Sequence, residues 1–315
     1  MTQQTTQIFD ASATARLTPY AALVEALKTA SIDYAQQRIV SPERLVVPLN
    51  EGGIMLSMPA TASDLGIHKL VNVCPANGPR ALPTIHGQVM AFDADTGETL
   101  FILDGPTVTG RRTAAMSMLG VATFKGGTSG RAAPREFLLI GTGTQAANHV
   151  EAIGELYPAA LVRVKGSALA KAEAFCAAQR GKVRELQPLA GADVPDSVDV
   201  VIALTTSRQA VYDETPRAER LVIGVGAFTP AMLEIGARTV HGSVLYVDDP
   251  AGARHEAGDF IQAGVDWAKV TGIAAVVDGS APLPSVSTPV LFKTVGCAAW
   301  DLAACRVARN ALNRN

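Results

Sequence analysis

The chain of 315 residues lacks an excess of charge of either sign: 27 Lys and Arg face 29 Asp and Glu, for a formal net charge of -2. A nucleic-acid surface needs clustered cations to displace counterions, so that class of partner is disfavoured and a small, locally charged substrate is expected. No apolar run approaches the ~20 residues of a membrane-spanning helix, so no membrane partner is expected. The opening MTQQTTQIFD has neither the basic start nor the apolar core of a secretion signal, from which a cytoplasmic location is expected. Cysteine is scarce. Cys74, Cys176, Cys297 and Cys305 contain no CxxC pair and do not cluster with the five histidines, so they read as reduced, packed thiols and no metal site is expected. Internal repeats and low-complexity tracts are also missing. What is present is 48% hydrophobic and 18% charged, a globular composition long enough for two domains.

Apolar residues Leu17, Tyr20, Ala21, Val24, Leu27 and Ile32 recur at helical spacing and predict a helix over 17–35. Short β-rich segments follow at 45–49, 54–60, 69–74, 86–92 and 99–105, with DADTG at 93–97 suited to a hairpin turn. One helix followed by about five strands predicts a largely antiparallel α+β unit. A further helix is expected over 107–124, with Thr109 as its cap, and GGTSGRAAPRE at 126–136 reads as a linker. Beyond it FLLIG, QAANHVEAIGEL, ALVRVK, SALAKAEAFCAAQ, VDVVIAL, RLVIGVG and SVLYVDD alternate strand and helix before further strands, the rhythm of a parallel sheet covered by helices. LFKTVGCAAWDLAACRVARNAL is read as an amphipathic helix following a Gly-containing turn.

In FLLIGTGTQAANH, Gly141 and Gly143 permit a tight turn and close approach of a pyrophosphate, with Thr142, Thr144 and Gln145 beside them. Ala146 replaces the third glycine of the dinucleotide fingerprint where helix meets strand. The N–H groups of the helix start then face the anion. At the end of the next strand, where an Asp or Glu would bind the adenosine ribose of NAD, the chain has Val164, Lys165, Gly166 and Ser167. Lys165 and Ser167 suit a 2′-phosphate, so NADPH is expected to be preferred and NADH accepted at most as a second cofactor; a solvated strand end is the other reading of Lys165. Four cations in the first half complete the polar inventory: Arg44, Lys69, Arg111 and Arg112. Arginine suits a carboxylate held by two parallel hydrogen bonds, and lysine a point charge or a transferable proton. Each taken singly also reads as a surface charge.

SPERLVVPL, LSMPA, HKLVN, DADTGETLFILDG, TGRRTAA, IGTGTQA and LFKTVGCAAWDLAA, in this order and spacing, resemble the ornithine cyclodeaminase and mu-crystallin family. The resemblance covers nearly the whole chain. It implies an α/β fold: a Rossmann-type dinucleotide-binding domain over 121–290, plus an α+β substrate-binding and dimerisation domain over 1–120 completed by a C-terminal helix at 291–315. It also implies a homodimer, with active sites in the cleft between the two domains. Arg44, Lys69 and Arg112 fall on the family positions that hold a substrate carboxylate, Met58 lines the pocket, and Lys69 stands near the reacting nitrogen as the expected catalytic residue. Thr205 and Val295 join 141–146, Lys165 and Ser167 as expected cofactor contacts.

Cyclodeaminases of this family carry an Asp in a loop that corresponds here to GVGAFTPAMLE; aligning Pro230 and Glu234 puts Phe228 at the Asp position. A phenyl ring can neither accept a proton nor pair with an ammonium group. Phe228 is therefore expected to cover the apolar face of a small ring, and a loop aromatic packed into the core is the other reading. MPATASDLGIHKLVNVCPAN and LPTIHGQV look most like family members that reduce Δ1-pyrroline-2-carboxylate. The implied activity is NAD(P)H-dependent reduction of a cyclic imino acid, giving proline from the five-membered ring or pipecolate from the six-membered one. Ornithine cyclisation with ammonia release, alanine dehydrogenase-like chemistry and non-catalytic NADPH binding are the alternatives. His86 is a possible acid or a structural histidine; His68, next to Lys69, should point to the opposite face of a strand. Asp301 resembles a family position near the cofactor end of the last helix, and an internal cap or salt bridge is an equal reading.

Overall fold

The computed structural model describes residues 6–80, 82–126, 129–191 and 193–314. Residues 1–5 of the polar opening, and Gly127 and Thr128 of the expected linker, lie outside the described residues. The chain divides into two compact units, Met1–Arg112 with Cys297–Asn315, and Thr113–Gly296. These edges differ from the expected 120 and 291. The first falls inside a long helix, and 290–293 form a strand of the second unit rather than the start of the last helix.

In the first unit, strands β1 (Gln7–Ile8), β2 (Leu45–Pro48), β3 (Ile54–Thr61), β4 (Gly66–Val73), β5 (Ile85–Phe92) and β6 (Thr99–Asp104) make a sheet ordered β1-β6-β5-β4-β3-β2. Pairing is antiparallel from β2 to β6, and β1 joins β6 in parallel. The β5–β6 turn closes on Asp93, whose Oδ1 accepts from the backbone N–H groups of Asp95 and Thr96, and Gly97 takes the left-handed conformation at φ 73°. Alternation along β4 buries Ile67, Lys69 and Val71 and turns His68 and Leu70 to the opposite face.

The helix expected over 17–35 is two: α1 (Ala11–Leu17), capped by the Asp10 side chain, and α2 (Tyr20–Ala35). Pro19, which has no N–H to donate, stands at the N-cap of α2 and breaks the run. Arg111 repairs the break, donating from Nε to the Thr18 carbonyl at 2.9 Å while its guanidinium lies 3.9 Å over the Tyr20 ring. The next helix, α3 (Gly105–Lys125), begins before the expected Thr109 cap. Asp104 Oδ1 caps it instead, accepting from the Thr107 N–H at 2.8 Å. The final helix, Ala298–Leu312, packs on β3 and β4 and is fastened to this unit by Arg306 and Arg309. Arg306 reaches both Asp64 (2.6 Å) and Asp33 (3.1 Å), and Arg309 reaches Asp64 at 2.6 Å.

The second unit holds an eight-stranded sheet among the described residues, built from β7 (Glu136–Ile140), β8 (Leu161–Lys165), β9 (Glu185–Pro188), β10 (Val200–Ala203), β12 (Leu221–Gly224), β14 (Val244–Val247), β15 (Val270–Gly272) and β16 (Val290–Lys293). β11 (Arg208–Tyr212) and β13 (Leu233–Ile235) form a separate pair. The order is β15-β14-β16-β12-β10-β7-β8-β9 and every pairing is parallel. β7, β10 and β12 are buried along their whole length, as strands covered on both faces must be, which is why they read as continuous apolar runs. β7, β8 and β9 progress to one side and β10 begins the other, so the chain reverses between β7 and β10. Ligands bind at such a reversal, outside the carboxyl ends of the strands. The expected antiparallel and Rossmann-type halves are thus both present, with β9, β15 and β16 added to the parallel sheet.

Candidate active site and dinucleotide cradle

β4 carries Lys69 into the interior of the first unit, where its side chain is 2% exposed. Its Nζ lies 2.9 Å from Oδ2 of Asp301, which the first turn of the final helix presents with no exposure at all. Arg112, at the end of this unit's part of α3, brings Nε to 3.3 Å of the other oxygen, Oδ1. One buried carboxylate therefore spans two buried cations. Arg112 Nε and Asp301 Oδ1 are both buried without a well-aligned hydrogen bond, so the cluster keeps polar capacity that a ligand can take up. Burial drives the Lys69 ammonium down to about 8; Asp301 opposes that fall, while the charges of Arg112 and Arg44 add to it. A lysine so poised carries a labile proton near neutral pH.

The register explains which other side chains share this face. Met58 is the direct partner of Lys69 on β3, and Val89 its partner on β5. Met58, Lys69 and Val89 form one buried row across three strands. Leu45 pairs with Ser57, so Arg44, just before β2, continues the register toward Met58; it is partly exposed and its charge is felt at Lys69. Arg44, Met58, Lys69 and Arg112 thus belong to one unit and one neighbourhood. His86 does not join them. It pairs with Asn72 on the opposite face of the sheet and is exposed, while His68 shares that outer face and meets Ser57 Oγ at 2.8 Å. Arg111 is engaged at the α1–α2 break. Asp301 enters as a member of the cluster through buried ion pairs with Lys69 and Arg112.

In the second unit, the turn after β7 leads into α4 (Thr144–Leu156), whose N-cap Gly143 supplies no side chain to the first-turn N–H groups. Those donors are left for an anion. Gly141 sits at φ 131° and a Cβ there would meet the Leu204 carbonyl oxygen at 2.7 Å, so glycine is obligatory; a Cβ on Gly143 would meet nothing within 4 Å. Open space at Gly143 and an uncapped helix start fit a pyrophosphate. Thr142 and Gln145 are partly buried, Thr144 is exposed and Ala146 is buried against the sheet. Gln145 Oε1 is buried without a hydrogen bond. Lys165 closes β8 half-buried and Ser167 follows exposed, with no acid between them.

Two buried acids shape the remaining loops at the carboxyl edge of the same sheet. Asp248 accepts from the N–H groups of Val295 and Gly296, both at 2.9 Å, and so sets the turn after β16. Glu234, on β13, accepts from the backbone and hydroxyl of Thr205, and from the N–H groups of Gly226 (2.5 Å) and Ala227 (2.9 Å). Burial pushes its carboxyl up, against the pull of Lys293. Thr205 and Val295 thus stand in ordered loops, the Thr205 hydroxyl already donating to Glu234. Phe228, half-buried in the loop after β12, follows directly on the two residues Glu234 holds. In the sequence Glu234 serves only to align the loop; an acid two residues after TPAM carries no mark that it bonds a loop 29 residues away. Among the described residues no group of His, Cys, Asp and Glu is arranged to hold a metal, and no helix is long and apolar enough to cross a membrane.

Comparison with known proteins supplies the lineage. The chain is 59% identical over 305 residues to the Δ1-pyrroline-2-carboxylate/Δ1-piperideine-2-carboxylate reductase of Azospirillum brasilense, covering 97% of this chain and 96% of that protein. Its fold is similar to that of the Thermococcus litoralis Δ1-pyrroline-2-carboxylate reductase in complex with NADH and L-proline, with a TM-score of 0.86 at 23% identity over 98% of each chain. It is likewise similar to an archaeal alanine dehydrogenase dimer with bound NAD, with a TM-score of 0.84 at 22% identity over 98% of this chain and 97% of that one. With a family model matching residues 4–315 as well, the chain belongs to the ornithine cyclodeaminase/mu-crystallin family.

Proposed function

We propose that this protein reduces cyclic imino acids, Δ1-pyrroline-2-carboxylate to L-proline and Δ1-piperideine-2-carboxylate to L-pipecolate. The 59% identity to a reductase named for both rings supports the activity, and the buried Lys69–Asp301–Arg112 cluster is the observation that gives it a chemistry. Lys69 and Arg112 share one carboxylate, and the charge of Arg44 is felt at Lys69, so a substrate carboxylate enters a site with positive charge to spare. Arg112 and Arg44 hold that carboxylate, Met58 packs on the ring, and Lys69 delivers the proton that the imine nitrogen gains. Phe228 offers an apolar surface where ornithine cyclisation would need a carboxylate, which sets the cyclodeaminase reading aside.

A nicotinamide dinucleotide supplies the hydride for the imine carbon when bound. The turn 141–146 and the start of α4 hold its pyrophosphate, with Thr205 and Val295 in the loops beyond. Lys165 and Ser167 at the end of β8 favour a 2′-phosphate, so NADPH is the preferred form and NADH the weaker one. The protein works as a homodimer in the cytoplasm; a dimeric relative of the same fold supports the first point.

The test mixes purified protein with NADPH and Δ1-pyrroline-2-carboxylate and follows loss of the reduced nicotinamide, with L-ornithine plus NAD in parallel. Oxidation in the first mixture and no ammonia in the second is the expected result. Ammonia and proline from ornithine would overturn it. Tighter binding of NADH than of NADPH would remove the role given to Lys165 and Ser167.

A further inference from the structure

Glu234 has no free acceptor position in its own surroundings. Oε1 takes the N–H and hydroxyl of Thr205, and Oε2 takes the N–H groups of Gly226 and Ala227. Thr205 begins the loop after β10, and Gly226 and Ala227 belong to the loop after β12. One side chain therefore fastens two successive loops at the carboxyl edge of the parallel sheet. The loops touch: a Cβ on Gly226 would lie 1.9 Å from the Thr205 carbonyl oxygen and 2.8 Å from Glu234 Oε1. A second buried pair steadies the strand that carries Glu234. Asp259 Oδ1 accepts from the N–H groups of Glu234 (2.6 Å) and Ile235 (3.0 Å), and its Oδ2 lies 3.2 Å from Nζ of Lys293, the last residue of β16. Glu234, Asp259 and Lys293 have no solvent exposure.

Three buried charges carry a heavy desolvation penalty before pairing, and a packed apolar set would serve stability as well or better. Their placement gives the reason for keeping them. The adenosine side of a dinucleotide lies over β7 and β8, and the chain reversal sends the other half over β10 and β12, which are the two strands whose loops Glu234 ties.

We propose that Glu234, held by Asp259 and Lys293, is a positioning residue that shapes the nicotinamide half of the dinucleotide site without touching the adenosine half. The proposal rests on the dinucleotide reading of this unit. Replacement of Glu234 by Gln keeps the shape but turns one oxygen into an NH2 group that faces N–H donors, so the loops part. A defect confined to one half of the ligand is a signature that general loosening of the unit does not produce.

The experiment measures dissociation constants of NADPH and of 2′-phospho-ADP, a fragment with no nicotinamide, for the full-length wild type and E234Q. NADPH binding is expected to weaken at least 10-fold and fragment binding less than 2-fold. Thr205→Val, which keeps the N–H bond to Glu234 and removes the hydroxyl, should show the same split at about 2- to 5-fold, and carries the test if E234Q does not fold. Equal losses for both ligands, or no loss for either, overturn the proposal. A wild type that binds neither NADPH nor NADH overturns the dinucleotide reading itself, a result distinguishable from a wild type that binds both ligands and variants that show no split.

Discussion

At the scale of single residues, the side chain that organises the proposed active site is Asp301 rather than any of its cations. Lys69 stays charged in a fully buried position because Asp301 offsets part of the desolvation that lowers it to about 8. In the proposed reaction protonated Lys69 is the donor to the imine nitrogen, so kcat/KM should fall as pH rises through about 8. Replacing Lys69 with Met should lower kcat by ~10² to 10⁴, the range of a lost general acid, and abolish that alkaline limb. Asp301→Asn keeps the size of the side chain but leaves the ammonium with burial and two arginines. Its pKa must then fall further, and the alkaline limb should move to lower pH. A pH profile of kcat/KM for the two variants checks both statements; an unmoved limb in D301N would make Asp301 a simple structural pin. The cations were legible in the sequence because each sits in a short, recognisable string. Asp301 resisted assignment because its partner Lys69 is 232 positions away, and helix periodicity does not say which strand a helix face will meet.

Elements are joined by similar buried contacts, and His149 of α4 gives one with a measurable pH dependence. It is fully buried, with Nδ1 2.8 Å from the Gln145 carbonyl and Nε2 2.8 Å from Ser117 Oγ on α3. Burial lowers it to about 4, so the fold favours the neutral ring. Between about pH 6.5 and 4 the unfolded chain binds a proton that the folded chain does not, and stability therefore rises with pH across that window. The contribution is complete above about 6.5 and roughly 2 kcal/mol of it is gone by pH 5, at 1.36 kcal/mol per pKa unit. Urea midpoints at pH 7 and pH 5 for wild type and His149→Gln should show a larger acid loss in the wild type; equal losses would acquit the histidine. Strands and helices differ in how plainly the sequence marks them, for physical reasons. β7, β10 and β12 announce themselves as apolar runs because both their faces are covered. β16 was hidden because VLFK ends in a lysine and runs at once into a helical stripe, and the lysine fits there because Asp259 meets it inside the unit. The α1–α2 break turns on one proline within a pattern that otherwise stays helical.

For the whole molecule, the question is what covers the outer face of the first unit's sheet. The final helix lies on β3 and β4 on the face of Lys69. On the other face Leu45 and Leu70 lie in one row, each paired with Ser57 between them, and they are 62% and 38% exposed. Val47, Met55 and Asn72 form the next row, and Asn72 Oδ1 is buried there without a hydrogen bond. Five strands about 4.8 Å apart and about 25 Å long make ~500 Å² of flat surface, hence about 1,000 Å² for two copies before side-chain relief is added, near the lower bound of a stable interface. Leu45 and Leu70 stand exposed on this face among Ser57, His68, Asn72 and His86, and the homodimer proposed above would seat a second copy there. Leu70→Glu puts a charge at the centre of the row and costs the exposed monomer little. Analytical ultracentrifugation should show the wild type as a dimer and L70E as a monomer. NADPH binding should survive in L70E, because the dinucleotide cradle belongs to the other unit. A variant that stays dimeric would move the interface away from this face, and one that loses NADPH binding together with dimerisation would mean that the cradle needs the second copy to form.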